Sequence, residues 1–399
     1  MKNYPLWKIF IVFILLSLGI VFAIPSILYK EDTGSWYLDN RLNLGLDLQG
    51  GSYLLLEVQT DVLIEEEFEN FTDTIRIIAR ENRVKIKNIE KIDGSLKVRF
   101  ESGDKIKDIR QEFLKNYRSV KFNITNNIVS VTIDELYKKS IQDSAIKQSL
   151  EIVRKRIDES GTKEPLIQRS GKTRILLQLP GVKDPERIKD LLGKTAKLNF
   201  HMVDDDDKKS LSINIAPFGK MIVSDINNEE IKYLLEKKSR VGGENLIDAN
   251  ASFDPTEGHA VSFRFDTTGA QKFGKATSEN IGKRFAVVLD GVVITAPVIN
   301  SAITGGSGII TGNFTSQEAT DLAVLLRAGA LPAPLEIVEE RSVGPGLGAD
   351  SIAAGKIASI IGMILVCIFM ILIYGSFGVI ANISLIANLF IIVSLLGTI

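Results

Sequence analysis

Three long apolar runs stand out in the pattern of hydrophobic and polar positions, at residues 6–24, 357–373 and 378–399. Nearly all of the 48 basic and 49 acidic residues lie between the first two runs. About 20 apolar residues, rising roughly 1.5 Å each, cross a hydrocarbon core of about 30 Å. The pattern therefore predicts membrane helices on both sides of one large water-soluble segment.

The first run is predicted to be an uncleaved anchor rather than a signal peptide. It is longer than a usual signal core, and residues 22–25 do not form a small-x-small cleavage site. Lys2 and Lys8 favour a cytoplasmic N-terminus, because short basic flanks stay inside. The segment that follows then lies outside the inner membrane, the second run returns inward and the third goes out again. Because the chain ends at Ile399 without a polar flank, we expect it to be part of a larger membrane protein.

Residues 61–140 show a regular order of elements. Apolar positions spaced three and four apart predict a helix at 61–80, and alternation predicts a hairpin of strands 84–92 and 96–100 around Asp93 and Gly94. A helix at 104–117 and a second hairpin at 120–133 repeat this order. The pattern predicts a compact inserted α+β module.

The rest of the soluble segment alternates strands and helices. Strand, helix, strand occurs at 53, 144 and 174 and again at 261, 268 and 284. Two such βαβ halves predict a ferredoxin-like α+β fold, interrupted by inserts at 61–140 and 200–258. The other predicted strands are 166–169, 197–203, 292–296 and 309–311, and the other predicted helices are 184–192, 224–238 and 316–328.

Charge and candidate chemistry narrow the function classes. A net charge of -1 gives no case for nucleic-acid binding. The two histidines, His201 and His259, have no ligand partners at metal-binding spacing, and the acidic run at 204–207 lacks the alternation of a calcium loop. The Gly-Lys-Thr runs at 171–173 and 193–195 lack the glycine that a phosphate-binding loop needs. We predict no catalytic site, no metal and no cofactor.

Cys367, the single cysteine, lies within an apolar run, so the soluble segment is predicted to have no disulfide.

Two groups of residues leave alternatives open. Phenylalanines 68, 71, 263 and 265 are either core residues or part of an exposed groove for unfolded chains. Arg327 is either a surface residue or a coupling residue, because a guanidinium near a bilayer usually pairs with a carboxylate or a helix end.

The segment that leads into the second apolar run contains helix breakers at Gly329, Pro332 and Pro334. Residues 339–341 and 344–346 after it are predicted to form a polar, bend-prone collar.

Five motifs in order then resemble a known family. They are LGLDLQGG at 44–51, the stretch SLEIVRKRIDESG to KLNF at 149–200, IGKRFAVVLDGVVITAPVINSAITGGSGIITGNFT at 281–315, LAVLLRAGALPAPL at 322–335 and GPGLGADSI at 344–352. Together they resemble the SecD/SecF family of protein translocase accessory subunits, within the resistance-nodulation-division superfamily. The resemblance does not cover residues 61–139 or the weak region at 204–258.

This resemblance implies a multi-pass protein of the bacterial inner membrane with a large periplasmic domain and no enzymatic activity. The implied partners are SecF, the SecYEG channel, YajC, an unfolded preprotein and inner-membrane lipid. The implied work is to bind the emerging polypeptide and complete its export with the proton-motive force. The family's proton-relaying aspartate lies in a fourth membrane helix, which this chain does not contain. The alternatives are a membrane-tethered periplasmic chaperone without energy coupling and an anchored envelope enzyme.

The resemblance also implies a division of the chain. The membrane helices fall at 1–29, 351–374 and 378–399, a base at 30–60, 141–198 and 261–350, the inserted module at 61–140 and a mobile head at 199–260. Motif or hinge residues are expected where glycine frees the backbone. They are Gly45, Asp47, Gly50, Gly51, Gly305, Gly306, Gly344, Pro345, Gly346 and Gly348.

Overall fold

The computed structural model describes residues 6–28 and 50–398, except 93, 104, 118, 163, 164, 183, 208, 209, 212 and 344. The chain divides into two compact units. One comprises residues 1–53, 178–183 and 341–399, and the other comprises residues 54–177 and 184–340.

The helices of the described residues agree closely with the apolar periodicity. They are α1 (Leu6–Leu28), α2 (Thr60–Glu81), α3 (Ile106–Asn116), α4 (Glu135–Glu159), α5 (Pro185–Gly193), α6 (Thr267–Glu279), α7 (Ser316–Ala328), α8 (Pro345–Tyr374) and α9 (Ser376–Thr398). The strands are β1 (Gly51–Val58), β2 (Ile86–Ile92), β3 (Ser95–Phe100), β4 (Val120–Thr125), β5 (Ile128–Ile133), β6 (Leu166–Ser170), β7 (Arg174–Pro180), β8 (Leu198–Met202), β9 (Lys220–Ser224), β10 (Lys232–Glu236), β11 (Val241–Gly242), β12 (Leu246–Asp254), β13 (Gly258–Phe265), β14 (Phe285–Leu289), β15 (Val292–Thr295), β16 (Ser307–Phe314) and β17 (Leu335–Val343).

Two helices of the first unit, α8 and α9, contain stretches long and apolar enough to cross a membrane, at Ile352–Tyr374 and Ser376–Leu396. In α1 the apolar stretch that meets the same test for composition is shorter, Phe13–Ile24. Helix α1 packs along α9, where Gly19 allows close approach: a Cβ there would lie 3.0 Å from Cγ1 of Ile391. The predicted helices are thus present as helices.

The segment from α2 to β5 follows the predicted order of helix, hairpin, helix, hairpin. Its strands form one antiparallel sheet in the order β2-β3-β5-β4. Phe71, Ile75 and Phe113 are fully buried between this sheet and the two helices, and the rings of Phe71 and Phe113 meet edge to face at 5.5 Å. This segment therefore has its own apolar core, against which Tyr137 of α4 also packs.

The α+β class is confirmed, but the strands of the two predicted βαβ halves lie in several sheets. Strands β1 and β7 belong to the sheet β17-β1-β7-β6, β13 to β12-β13-β16, and β14 to β11-β8-β14-β15. Phenylalanine side chains fill the space between β8, β13, β14 and α6, with ring centroids 5.2–6.0 Å apart. Phe263 and Phe265 belong to this cluster and are buried, as are Phe68 and Phe71 elsewhere. The core interpretation of these four residues is therefore confirmed.

The helix predicted at 224–238 is wrong. The structure has a hairpin there, in which β10 pairs with β9 in antiparallel register, with Leu234 opposite Ile222. Ile231, Leu234 and Leu235 imitate the spacing of a helix face, but Leu234 and Leu235 are buried as neighbours in a strand. The long strand β12 was also missed, because Asp248, Asn250 and Asp254 break its apolar alternation.

The predicted bend-prone collar is also wrong at residues 339–341. These residues continue β17 as a regular strand. Pro345 and Gly346 lie in the first turn of α8, where proline is well tolerated because its missing N–H would have no partner within the helix. Gly344 lies outside the described residues.

Candidate functional site

The last turns of α4 carry a buried arginine that binds the main chain of other segments. Arg156 is 0% exposed. Its Nη1 donates to the carbonyl oxygens of Leu191 and Lys194 at 2.7 and 2.5 Å. Its Nη2 donates to those of Thr195 and Gly329 at 3.1 and 3.3 Å. One side chain thus joins α4 to the end of α5, the loop after it and the residue that ends α7.

An aspartate binds the same loop after α5. Asp290 occupies the turn between β14 and β15 with φ 49°, a left-handed conformation that aspartate tolerates better than most residues. Its carboxylate accepts from the N–H groups of Ala196 and Lys197 at 2.9 and 2.7 Å, and from the hydroxyl of Thr195. Burial lowers the pKa of Arg156 to about 10, and the negative charge of Asp290 opposes that shift. Both charges therefore stabilise one short segment, residues 194–197.

Arg327, the predicted coupling residue, contacts α4 one turn further along. Its Nε lies 3.1 Å from Oε2 of Glu159, and both side chains are about one third exposed, at 38% and 26%. Burial raises the pKa of Glu159, and the guanidinium of Arg327 opposes this. The C-terminal end of α7 is therefore attached to the C-terminal end of α4 by an ion pair and by the bond from Arg156 to Gly329.

A loop before β9 displays apolar side chains to solvent. Within residues 210–219, here named the apolar loop, Ile213 and Ile215 are 63% and 64% exposed and Phe218 is 99% exposed. Isolated surface apolar residues are common, but three within six residues form a patch.

The apolar loop is anchored at several points. Asp207 accepts from the N–H and the hydroxyl of Ser210 at 3.2 and 2.6 Å. Near the middle of the loop, the ammonium of Lys232 donates to Oδ1 of Asn214 at 2.9 Å. These hydrogen bonds fix the position of the loop, so Phe218 is exposed on an ordered segment.

The predicted hinge residues fall in several environments. Gly45, Asp47 and Gly344 lie outside the described residues. Gly50 and Gly51 have φ 71° and 137° at the entry to β1. Gly306 has φ 67°, and a Cβ there would lie 2.4 Å from Cβ of Ala270, while at Gly305 the nearest atom would be 4.0 Å away. Gly346 and Gly348, like Pro345, lie in the first turns of α8. Their role as hinges stays a prediction.

The histidines and the acidic run have structural partners. His201 is buried in β8, where Nδ1 lies 2.9 Å from the carbonyl oxygen of Glu236 and burial lowers the pKa of the ring. His259 lies in β13, its ring 5.5 Å from that of Phe253. Asp204 forms an ion pair with Lys220. Among the described residues, no three metal-ligating side chains are grouped to hold an ion.

Sequence reasoning missed Arg156 and Asp290. A signal for Arg156 exists, since it lies three and four residues after Val153 and Ile152, on the buried face of α4. A charged residue at an apolar helix position indicates a buried partner. Nothing local marks Asp290, because an Asp-Gly turn explains that dipeptide without any long-range contact.

Family models match three parts of the chain. The SecD/SecF GG motif matches residues 39–62, the N-terminal part of the P1 domain of protein translocase subunit SecDF matches residues 146–205, and the P1 head subdomain of SecDF matches residues 220–333. The P1 head match begins later and extends further than the head at 199–260 that the resemblance implied.

Whole-chain relatives agree with these matches. The protein translocase subunit SecD of Rickettsia conorii is 42% identical over 400 residues, covering 100% of this chain and 77% of the relative. That of Magnetococcus marinus is 38% identical over 409 residues, covering 100% and 77%. A crystal structure of SecDF in its super-membrane-facing form is 25% identical, with a TM-score of 0.48, and covers 98% of this chain and 42% of that chain. Because two SecD subunits are 42% and 38% identical to it over its whole length, this chain belongs to the SecD family of protein translocase subunits.

Proposed function

We propose that this subunit binds the emerging, unfolded preprotein on the periplasmic side of the bacterial inner membrane and, with SecF, uses the proton-motive force to complete its export. The observation that carries the proposal is the apolar loop. Phe218 is almost fully exposed on a loop held by Asp207 and Lys232. Together with Ile213 and Ile215 it forms an exposed apolar patch, and such patches are typical of surfaces that a partner covers.

The strength of such a contact suits repeated holding and release. Burying a phenylalanine or isoleucine side chain contributes about 1.5–3 kcal/mol. One proton that crosses a potential of 100 mV releases about 2.3 kcal/mol. Each apolar contact is therefore comparable in free energy to one proton transfer, so proton flow suffices to break contacts one at a time.

The remaining partners belong to the same proposal. In it, the subunit lies in the inner-membrane lipid and contacts the emerging chain beside SecF, the SecYEG channel and YajC. The apolar stretches of α8 and α9 support the membrane location. Transport then needs no catalytic side chain, since the work comes from movement driven by protons.

The test uses photo-crosslinking from the full chain in membrane vesicles that also contain SecF and SecYEG. A photoreactive amino acid replaces Phe218, and a matched control replaces Ile77, which is apolar, 56% exposed and located on α2. With a preprotein arrested during export, we expect crosslinks from position 218 and few from position 77. Equal yields from both positions would contradict a specific holding surface.

A static, membrane-tethered chaperone is the second candidate, and the exposed loop alone fits it equally well. The two differ in their dependence on energy. If protons drive release, an uncoupler should slow export and lengthen the time during which irradiation still crosslinks the preprotein to position 218. For a static chaperone, that time should be the same with and without the proton gradient.

A further inference from the structure

Strand β16 forms a free edge of its sheet. The order β12-β13-β16 gives β16 one neighbour only, β13, and within the described residues no isolated bridge joins β16 to another strand. A strand at an edge presents a row of main-chain donors and acceptors that can pair with a further strand. What matters is which groups point outward and what protects them.

The register identifies the outward groups. The N–H of Phe265 donates to the carbonyl oxygen of Gly306 at 2.8 Å, which makes this a hydrogen-bonded pair. In an antiparallel ladder such pairs alternate with pairs whose main-chain groups point away from each other. Along the recorded register, Ser307, Ile309 and Thr311 fall at the alternate positions. Within the described residues, their N–H and C=O groups have no hydrogen bond to another element.

From Ser307 to Thr311 this edge carries neither charge nor proline, and the bulge in its pairing with β13, another common protection, comes only after Thr311. Natural edge strands carry lysine, proline or an inward charge. The sequence of β16, Ser-Gly-Ile-Ile-Thr-Gly-Asn-Phe, contains no charged residue and no proline. Ile309 is also 54% exposed beside the outward groups. The opposite edge strand, β12, differs, because Asp248 pairs with Arg264 and Arg327 of α7 lies 3.5 Å from Asn250.

We propose that β16 holds the translocating polypeptide by β-augmentation, with an extended segment of unfolded chain pairing along Ser307, Ile309 and Thr311. This inference rests on the proposed function and adds to it the chemical basis of recognition. An export factor meets many sequences in an unfolded state, and every residue except proline offers the same main-chain N–H and C=O. Backbone pairing therefore supplies a grip that does not depend on side chains, while the apolar loop adds contacts with apolar segments.

The test measures peptide binding to the full chain in detergent micelles by fluorescence anisotropy. The probe is a ten-residue peptide of alternating threonine and valine. A twin peptide carries N-methyl groups on alternate residues, which removes the donors along one edge. A third peptide has the same composition in scrambled order. We expect N-methylation to weaken binding roughly tenfold and scrambling to change it less than twofold, because each main-chain hydrogen bond contributes modestly and several are lost together.

Variants of the edge separate main chain from side chain. Thr311→Pro removes one outward donor and should weaken binding by roughly threefold to tenfold, since proline is tolerated where the N–H faces solvent. Ser307→Pro makes the same change at the other end of the edge. If Thr311→Pro lowers the thermal stability, the peptide affinity of Ser307→Pro tests the proposal instead. Ile309→Thr changes only the side chain and should alter binding less than twofold.

The possible results are distinct. Equal binding of the parent and N-methylated peptides, or no effect of either proline, overturns β-augmentation, while crosslinks from position 218 would leave the proposed function standing. If neither the peptides nor an unfolded preprotein binds the wild type, the proposed function itself fails. If the wild-type chain is a dimer that Thr311→Pro converts to a monomer, the edge serves a second copy and the inference is overturned.

Discussion

Replacing Arg156 should lower the free energy of unfolding of the soluble segment more than any surface substitution does. Arg156→Met keeps much of the side-chain length and volume, so little packing is lost. It removes the donors for the carbonyl oxygens of Leu191, Lys194, Thr195 and Gly329. These carbonyl groups belong to the main chain and stay in place, so methionine leaves them without this donor.

The size of the effect follows from opposing contributions. A hydrogen bond to a charged group is worth about 1.5–3 kcal/mol, and an unsatisfied buried polar group costs about 1–3 kcal/mol. Against this, burial of the guanidinium is itself unfavourable, and within the described residues its Nε has no hydrogen-bond partner. Four carbonyl groups lose a charged donor, and relief of the buried guanidinium offsets part of that loss, which leaves a net cost of about 3–5 kcal/mol. We expect that value here, which is a large part of the roughly 5–15 kcal/mol by which domains are stable.

Urea denaturation of the full chain in detergent, followed by far-ultraviolet circular dichroism, measures this change. The matched control is Arg154→Met, an exposed position on the same helix, which should change the free energy of unfolding by less than about 0.5 kcal/mol. Hydrogen exchange of the Leu331 N–H, which donates to Thr195 O at 2.8 Å, reports on the same region locally. A loss below about 1 kcal/mol in Arg156→Met would contradict this prediction, because four charged hydrogen bonds would then contribute almost nothing.

Three further predictions concern other contacts. Gly306→Ala should lower the free energy of unfolding by about 1–3 kcal/mol, because Gly306 has a positive φ and lies close to α6. The control Gly305→Ala should leave it nearly unchanged. Equal urea midpoints for the two variants would show that close packing does not explain Gly306. Burial lowers the pKa of His201, so the unfolded chain binds the proton of this ring more tightly, and stability is lost as the pH falls below about 6.5. Between pH 7 and pH 5, the urea midpoint of His201→Gln should therefore fall less than that of the wild type. Equal falls in both proteins would show that His201 is not the cause. A double-mutant cycle of Arg327→Ala and Glu159→Ala should give a coupling free energy of only about 0.2–1 kcal/mol, because both side chains are partly exposed. If Arg327 couples motion to export, Arg327→Ala should slow export more than this small loss of stability explains. Normal export by Arg327→Ala would mean that the contact is only a surface ion pair.

Elements with strong local signals could be predicted from the sequence. Helix α7 has the bounds predicted for it, and the residues that fix its ends are local: Thr315 and Glu318 form a capping box at its start and Gly329 follows its end. For α5, Asp184 accepts from the N–H of Arg187 at 3.1 Å, as expected for the cap before a proline. In these cases the residues that decide the structure lie within one turn of each other.

Prediction failed where distant partners decide. Ile231, Leu234 and Leu235 have helical spacing, but pairing with β9 makes their segment a strand. The apolar loop was within the region expected to be a mobile head, yet no pattern indicated that Phe218 would be exposed and other phenylalanines buried. Exposure depends on which surfaces neighbouring elements cover, and a single sequence contains that information only indirectly.

Hydrophobic periodicity and residue order are local properties, so they were enough to predict the apolar helices, the soluble α+β segment and the motifs shared with the SecD family. Three features became evident only in the folded chain: which strands share a sheet, that the edge at β16 stays unpaired, and that Arg156 of α4 binds the carbonyl oxygen of Gly329, 173 residues away. Burial and hydrogen bonds of this kind form between segments far apart in the chain, and their free energy overrides weak local preferences.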